Sequence, residues 1–466
     1  MTNSRYNLDD SIAAIATALT PAALGIIRVS GKDSVQKVSE FFSNKEKLLK
    51  AEGNTIVYGW ILENSTKEKI DEVLVSVFRS PKSFTGEEMC EISCHGGVAV
   101  VKRIFDVLLK SGFRPAEKGE FTFRAFINGK ADLTKAEAVR EIIDSKTDNG
   151  RKRAAGRLSG GLFDEIDKIK TLVTDTLAAI EVDIEYPEDE ETIADSFDPA
   201  DLENAKKRLE ELKKSWKSEK LYQEGAKIVL AGKTNAGKSS LFNALLKEDR
   251  SIVSDIEGTT RDWIESWVSF DGIPARLFDT AGLRQTEDII EAKGVELTKN
   301  LAEESDLILY LIDSTAGISE EDKDFIQKNE NIPLIVVFNK SDKIQNSQAP
   351  ENSFKENPFV KGKISVSAKK STGIGELTSL VKKVILQSEQ TSTEGIGLGS
   401  ERQKSFVEEA LERISHALEI AEENTYGLDA VVQDLEDCLS SLGEITGEVT
   451  SDDVLGSIFS HFCVGK

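Results

Sequence analysis

Eight residues constrain the fold of this chain more than any others. Gly232-Lys233-Thr234-Asn235-Ala236-Gly237-Lys238-Ser239 has the form G-x-x-x-x-G-K-[ST]. It stands between a short apolar run, Lys227 to Ala231, and a helical stretch, Ser240 to Leu246. A buried strand that ends in such a loop turns its backbone N–H groups inward around phosphate oxygens, and the glycines permit the turn. The helix that follows adds the positive potential of its N-terminus. Lys238 is then placed to reach the β- and γ-phosphates, and the Ser239 hydroxyl to ligate Mg2+. The pattern predicts an α/β nucleotide-binding domain with phosphate contacts from Asn235, Ala236, Gly237, Lys238, Ser239 and Ser240.

Three later elements narrow the nucleotide to a guanine nucleotide. Asp279-Thr280-Ala281-Gly282 follows an apolar strand ending at Phe278 and fits D-x-x-G. Asp279 would support Mg2+ through water, and the Gly282 N–H would sense the γ-phosphate. Asn339-Lys340-Ser341-Asp342 follows the apolar run Leu334 to Phe338. The Asp342 carboxylate can accept from the N1–H and the 2-amino group of guanine, a donor pair that adenine lacks. Ser367-Ala368-Lys369 follows another short strand and fits the last base-contacting loop. Between the first two elements lies Ser254-Asp255-Ile256-Glu257-Gly258-Thr259-Thr260-Arg261-Asp262, in which Thr260 is the candidate to close on Mg2+ when a γ-phosphate is present. The order and strand context of these elements predict GTP binding and hydrolysis. The position after D-x-x-G is Leu283, where Ras-like enzymes place the glutamine that orients water. Another group must supply that function, and Glu287, Asp288 and Glu291 are the acidic candidates in the next loop. Arg261 and Arg284 are nearby, but neither reads as an intrinsic arginine finger.

The flanking regions differ in period. Before about residue 129, β-branched strands alternate with glycine turns: Thr55–Leu62 and Glu72–Arg79 read as strands, and Val98 to Lys110 as an amphipathic helix. From 130 to 221 the spacing is helical. Leu158, Leu162, Ile166, Ile169, Val173, Leu177, Ile180 and Ile184 fall on one helix face, and Pro187 ends the run before the acidic stretch Glu188 to Glu191. Helical stripes return after 390, with Phe406, Ala410, Ile414 and Leu418 in one and Leu428, Val431, Leu435, Leu439 and Leu442 in another. Ser388 to Ser400 reads as a linker. Three domains in four segments follow: an α+β domain (1–129), a first helical part (130–221), an inserted α/β Ras-like P-loop G domain (222–386) and a second helical part (387–466) that completes a discontinuous helical domain.

Composition excludes some classes. The net charge of −23 argues against non-specific nucleic-acid binding over the whole surface. Four scattered cysteines do not make a disulfide framework, which fits a reducing cytoplasm. Cys90, Cys94 and His95 have the look of a metal cluster, yet no second pair follows, and a strand with buried thiols is the simpler reading. Ile12 to Val29 mimics a signal peptide, but Asp9 and Asp10 occupy the basic region and Pro21 and Gly25 interrupt the run, so strand, turn, strand is expected. No segment reads as a membrane span. Cys463-Val464-Gly465-Lys466 matches a prenylation box only in its cysteine.

Taken together, the motifs resemble the bacterial tRNA-modification GTPases of the MnmE (TrmE) type, essentially from end to end. The match is carried by Gly25-Ile26-Ile27-Arg28-Val29-Ser30-Gly31, Ser83-Phe84-Thr85-Gly86-Glu87-Glu88, Gly119-Glu120-Phe121 and Arg124-Ala125-Phe126-Ile127-Asn128-Gly129-Lys130. It continues in the P-loop with Asn235, in Gly258-Thr259-Thr260-Arg261-Asp262, and in the terminal Phe462-Cys463-Val464-Gly465-Lys466. The resemblance implies a folate-binding N-terminal domain, a homodimer, and an FAD-containing partner of the MnmG (GidA) type in a heterotetramer or larger complex. Together such proteins place an aminomethyl or carboxymethylaminomethyl group on the wobble uridine of certain tRNAs, with a tetrahydrofolate derivative (5,10-methylene or 5-formyl) as ligand. It also implies K+ held by Asn235, Ser254, Ile256 and Thr259, water orientation through Glu291, folate contacts from Arg28, Glu87, Lys130 and Lys466, and a part for Cys463 in the modification. One stretch departs from the family: Ala18 to Leu24 lacks the Gly- and Arg-rich composition usual before G-I-I-R. Two other readings fit a GTPase with these appendages: a ribosome-assembly or signalling switch, and a stand-alone folate enzyme regulated by its GTPase.

Overall fold

The computed structural model describes residues 8–185, 199–248, 264–279, 305–329, 331–344, 357–387, 396–423 and 428–466. The chain divides into two units, one of residues 1–140, 166–190 and 424–466 and the other of 141–165 and 191–423.

In the first unit the strands are β1 (Ile12–Ile15), β2 (Leu24–Ser30), β3 (Thr55–Leu62), β4 (Lys69–Phe78), β5 (Met89–His95) and β6 (Arg114–Pro115). They form one sheet in the order β3-β4-β5-β2-β1-β6, antiparallel except between β1 and β6. Alternation decides the faces. Val57, Gly59 and Ile61 of β3 point inward while Ile56 and Tyr58 stay exposed. Helices α1 (Ser34–Ser39), α2 (Lys45–Lys50) and α3 (Val98–Lys110) accompany the core face, where Ile104, Val107 and Leu108 join Ile27, Val29, Val75 and Ile92. On the opposite face, Ile12, Ala14 and Met89 meet Ala116 and Phe121. Phe121 lies in the first turn of α4 (Glu120–Ile127), which is followed by α5 (Leu133–Asp144). The C-terminal helices belong here too: Phe123 of α4 meets the Phe459 ring edge-on at 5.4 Å and 82°. The turn after the last helix makes an isolated antiparallel bridge between Val464 and Lys118.

The expected Thr55–Leu62 strand and Val98–Lys110 helix are present with the same bounds, and the second strand runs Lys69–Phe78. Strand, turn, strand also describes residues 12–30. The unusual stretch before G-I-I-R is a defined loop. Ala22 N donates to Gly96 O at 3.2 Å and Gly96 N to Ala23 O at 3.3 Å. A Cβ at Gly96 would lie 2.4 Å from the Ala22 carbonyl oxygen, so only glycine allows that approach. Cys90 and Cys94 are buried on β5, which pushes their thiols up to about 12 and about 11. His95 pairs with Asp71 at 2.8 Å.

The second unit holds α6 (Asp148–Leu158), the start of α7 (Gly161–Glu185), α8 (Ala200–Glu224) and α12 (Glu401–Glu423), together with a second six-stranded sheet. Its strands are β7 (Ala226–Gly232), β8 (Ile264–Phe270), β9 (Ile273–Asp279), β10 (Leu307–Asp313), β11 (Leu334–Asn339) and β12 (Val360–Ser365). The order is β12-β11-β10-β7-β9-β8, parallel except for the β8–β9 hairpin. Six of the seven residues of β10 and all six of β11 are buried, as expected of parallel strands covered on both faces. Helices α9 (Lys238–Glu248) and α11 (Ile374–Gln387) build the core on one side with Leu241, Leu245, Leu377 and Val381. Ile326 of α10 (Glu320–Lys328) joins Tyr310 and Phe338 in a separate cluster. After β7 the chain continues toward β9 and β8 on one side, then returns to β10 on the other. The crevice at the C-terminal end of β7 is therefore the topological switch point where such sheets bind ligands.

Two helical stripes differ from their expected form. Leu158 lies on α6 and is exposed, because Gly160 at φ +105° ends that helix and α7 starts afresh at Gly161. In α12 the buried face is Val407, Ala410, Ile414, Ala417 and Ile420, with Phe406 and Leu418 at its margins. The last two helices are α13 (Leu428–Thr446) and α14 (Asp452–Ser460). In α13, Val431, Leu435 and Leu442 are buried as the pattern requires, and Cys438 joins them. Among the described residues no helix is long and apolar enough to cross a membrane.

Candidate nucleotide-binding site

The loop after β7 has the backbone that its glycines and asparagine allow. Gly232 stands at φ +134°, Asn235 at +63° and Gly237 at +96°. A Cβ on Gly232 would lie 2.4 Å from the Leu311 carbonyl oxygen, and one on Gly237 2.2 Å from the Asn339 side-chain nitrogen. Neither position tolerates a side chain. Lys238 is largely buried, and its ammonium donates to the carbonyls of Gly232 at 2.7 Å and Lys233 at 2.8 Å. The loop thus wraps its own lysine, and the helix beginning there carries Ser239 and Ser240 exposed in its first turn.

Asn339 ties three loops together. It is 2 % exposed. Its Nδ2 donates to Ala236 O at 2.9 Å, and its Oδ1 accepts from Lys340 N at 2.8 Å and Ala368 N at 3.1 Å. The end of β11 is thereby bonded to the P-loop after β7 and to the loop after β12. Lys340 adds a second tie, its ammonium donating to Asn235 O at 2.7 Å and pairing with Asp313 at 2.6 Å. Asp342 accepts from the Ser367 hydroxyl at 2.7 Å, and this bond holds its carboxyl below the ordinary value. Lys369 is exposed. These bonds bring Asn235 and Ala236 of the P-loop together with Asn339, Lys340 and Ala368, while Ser367 ties Asp342 to the loop after β12. Asp279 ends β9 beside Leu230 of β7, so that strand also delivers its terminus near the end of β7. Thr280, Ala281, Gly282, Leu283 and Glu291 lie outside the described residues, as do Ser254, Asp255, Ile256, Glu257, Gly258, Thr259 and Thr260.

The first unit brings a second group of expected residues together. Arg28 projects from β2 opposite Glu91 of β5, and their side chains pair at 2.7 Å. Its Nη1 donates to Gly465 O at 2.9 Å, so the C-terminal turn closes on the strand. The guanidinium also lies 5.8 Å from the Phe84 ring centre and 5.7 Å from that of Phe121. Lys466 is half-buried here, and burial together with the nearby Arg28 charge pushes its amine down. Glu87 accepts from the Ser30 hydroxyl at 2.7 Å and from Arg124 at 3.0 Å. Arg124 is wholly buried and reaches Glu120 at 3.0 Å, which Arg114 engages in turn at 2.6 Å. Lys130 is exposed, with its stem 3.4 Å from where a Gly86 Cβ would stand, next to the Glu87 loop. Cys463 is exposed.

Sequence reasoning missed Asp313, Glu91 and the role of Arg124. Asp313 lies 27 positions before Lys340, and Glu91 lies 63 after Arg28. Strand register is what brings each pair together, and no local motif carries it.

The chain matches a family model described as the N-terminus of the GTP-binding protein TrmE over residues 11–130, and one described as the MnmE helical domain over residues 133–463. It is 51% identical over 474 residues to a curated tRNA modification GTPase MnmE from Treponema denticola, covering 99% of each chain. The corresponding protein of Borrelia recurrentis is 43% identical over 464 residues, again covering 99% of each. Among solved structures, Era from Aquifex aeolicus bound to GDP.AlF4- is 28% identical over 40% of this chain and 66% of its own, with a TM-score of 0.29. The FeoB G-domain of Methanococcus jannaschii is 22% identical over 34% of this chain and 97% of its own, with a TM-score of 0.26.

Proposed function

From the premise that the chain belongs to the MnmE family of tRNA modification GTPases, we propose that it couples GTP hydrolysis at the β7 crevice to wobble-uridine modification. The observation that carries the nucleotide half is the Asn339 side chain, which bonds the P-loop and both base-side loops into one rim. Lys238 would contact the β- and γ-phosphates, and Asp342 would select guanine. The residues fit Mg2+ at that position: a hydroxyl, Ser239, stands exposed at the start of the helix that follows the P-loop. Thr260 and Asp279 would complete its surroundings. K+ held by Asn235, Ser254, Ile256 and Thr259 would supply the positive charge that an arginine finger supplies elsewhere. Glu291 would act on the attacking water in place of the residue that Leu283 is not.

For the other half, Arg28, Lys130 and Lys466 offer positive charge to the carboxylates of a tetrahydrofolate, with Glu87 as an acceptor for its ring N–H groups. Phe84, exposed beside Arg28, offers an apolar face to the pterin. The donor set therefore fits that ligand. A homodimer, an FAD-dependent MnmG-type partner, tRNA and the cytoplasm complete the reading. So does a G domain at 222–386 inserted between helical parts at 130–221 and 387–466, after a folate domain at 1–129.

Nucleoside analysis of tRNA from cells lacking the chain tests this function. Loss of the aminomethyl and carboxymethylaminomethyl uridines, restored by the wild-type chain and not by Lys238→Ala, is expected. A normal nucleoside profile in the deleted strain would overturn it.

A further inference from the structure

Asn235 and Lys340 both stand at φ +63°, in the left-handed region that non-glycine residues seldom occupy. Such strain persists where the surroundings over-determine the conformation, and it gathers at functional sites. Here the two residues are the ends of one hydrogen bond, Lys340 Nζ to Asn235 O at 2.7 Å. What fixes the lysine is Asp313, the last residue of β10, whose Oδ2 lies 2.6 Å from the same nitrogen. The aspartate is itself held: its Oδ1 accepts from Thr315 N at 2.9 Å and from Thr315 Oγ1 at 2.7 Å. Partial burial opposes the charge on Asp313, but the bonds from Lys340 and Thr315 outweigh it and keep the carboxyl below its ordinary value.

A lysine stem is flexible, and an ammonium on its own is a poorly directed donor. With Asp313 in place, the ammonium is anchored between a carboxylate on β10 and a carbonyl in the P-loop. We infer that Asp313 is a positioning residue of the nucleotide site: by holding Lys340 it fixes the P-loop at Asn235 and sets how long a guanine nucleotide stays bound. It need not touch the nucleotide to do so. The inference rests on the reading that the nucleotide occupies the 232–239 loop.

The test uses the full-length chain and GDP bearing a fluorescent methylanthraniloyl group, displaced by excess unlabelled GDP. Asp313→Asn is expected to release the probe about tenfold faster, the scale of one lost charge-assisted hydrogen bond. Turnover at saturating GTP should stay within about twofold, because retention and not chemistry is disturbed. Lys340→Met should also accelerate release, and the double variant should be no faster than Lys340→Met alone, since the aspartate acts only through the lysine. Asp313→Glu should recover part of the slow release. Should Asp313→Asn fail to fold, Thr315→Val loosens the same carboxylate and should accelerate release about threefold, the effect of one neutral hydrogen bond. Unchanged release in the variant that folds, or multiplicative effects in the double variant, would overturn the inference. Asp342→Asn separates the two readings, since an amide there should exchange a preference for guanine for one for xanthine. Without that exchange the site reading itself fails; with the exchange and unchanged release, only the role of Asp313 does.

Discussion

Asp342 shows how one hydrogen bond tunes recognition. Only an ionised carboxylate can accept from both guanine donors, and the Ser367 hydroxyl at 2.7 Å holds the Asp342 carboxyl below its ordinary value. A depressed carboxyl is charged above its ordinary value, and recognition is lost only as pH falls through the lowered one. Ser367→Ala removes the depressing bond, so GDP affinity should begin to fall at a higher pH than in the wild-type chain, as titration from pH 7 toward about 4 would show. Superimposable profiles would remove Ser367 from that role. At this scale the sequence was most informative. The P-loop follows β7 and the two base loops follow β11 and β12, the strands that the apolar runs before each motif predicted. Asp313 was invisible because its partner is reached through the β10–β11 register, Asp313 opposite Asn339, and not through any spacing along the chain.

Elements were legible where one period held and no residue broke it. Thr55–Leu62 alternates strictly, and Val98–Lys110 keeps its apolar residues on one side, so both bounds could be read. Periodicity does not register a left-handed residue, so the stripe that begins at Leu158 ran unnoticed across Gly160. In α12 two overlapping faces satisfied the same spacing, and the smaller residues Val407 and Ala417 took the buried one while Phe406 moved to its margin. Between the helices lies a network that no pattern announced. Glu219 of α8, wholly buried, pairs with Arg153 and, at 2.8 Å, with Arg157 of α6. Arg157 also meets Glu141 at 2.5 Å and donates to Gly397 O at 3.1 Å. Removing one partner of a buried ion network leaves charge uncompensated, so Glu219→Ala should destabilise this unit by roughly 3 kcal/mol or more. A urea midpoint equal to the wild-type value would show instead that water compensates the arginines. Because α8 continues through Gly225 at φ +73° into β7, this network stands at the root of the strand that bears the P-loop.

For the whole molecule, family membership rests on sequence shared from end to end, and it agrees with what the two units show separately. One unit carries the crevice at the end of β7. The other carries the Arg28 and Glu87 cluster, closed by the chain's own last residues through Gly465 O. Val464 among them bridges to Lys118, and Cys463 is exposed. The resemblance also brought forward residues that the nucleotide motifs alone would not have supplied, Lys466 foremost among them. The proposed function couples GTP turnover at the β7 crevice to wobble-uridine modification. Its most direct test is reconstitution with the FAD-dependent partner, tRNA, methylene-tetrahydrofolate, K+ and Mg2+, with modified uridine counted by mass spectrometry. Modification that requires GTP and is absent with Lys238→Ala is the predicted result. Equal modification without GTP, or with Lys238→Ala in place of the wild-type chain, would contradict it.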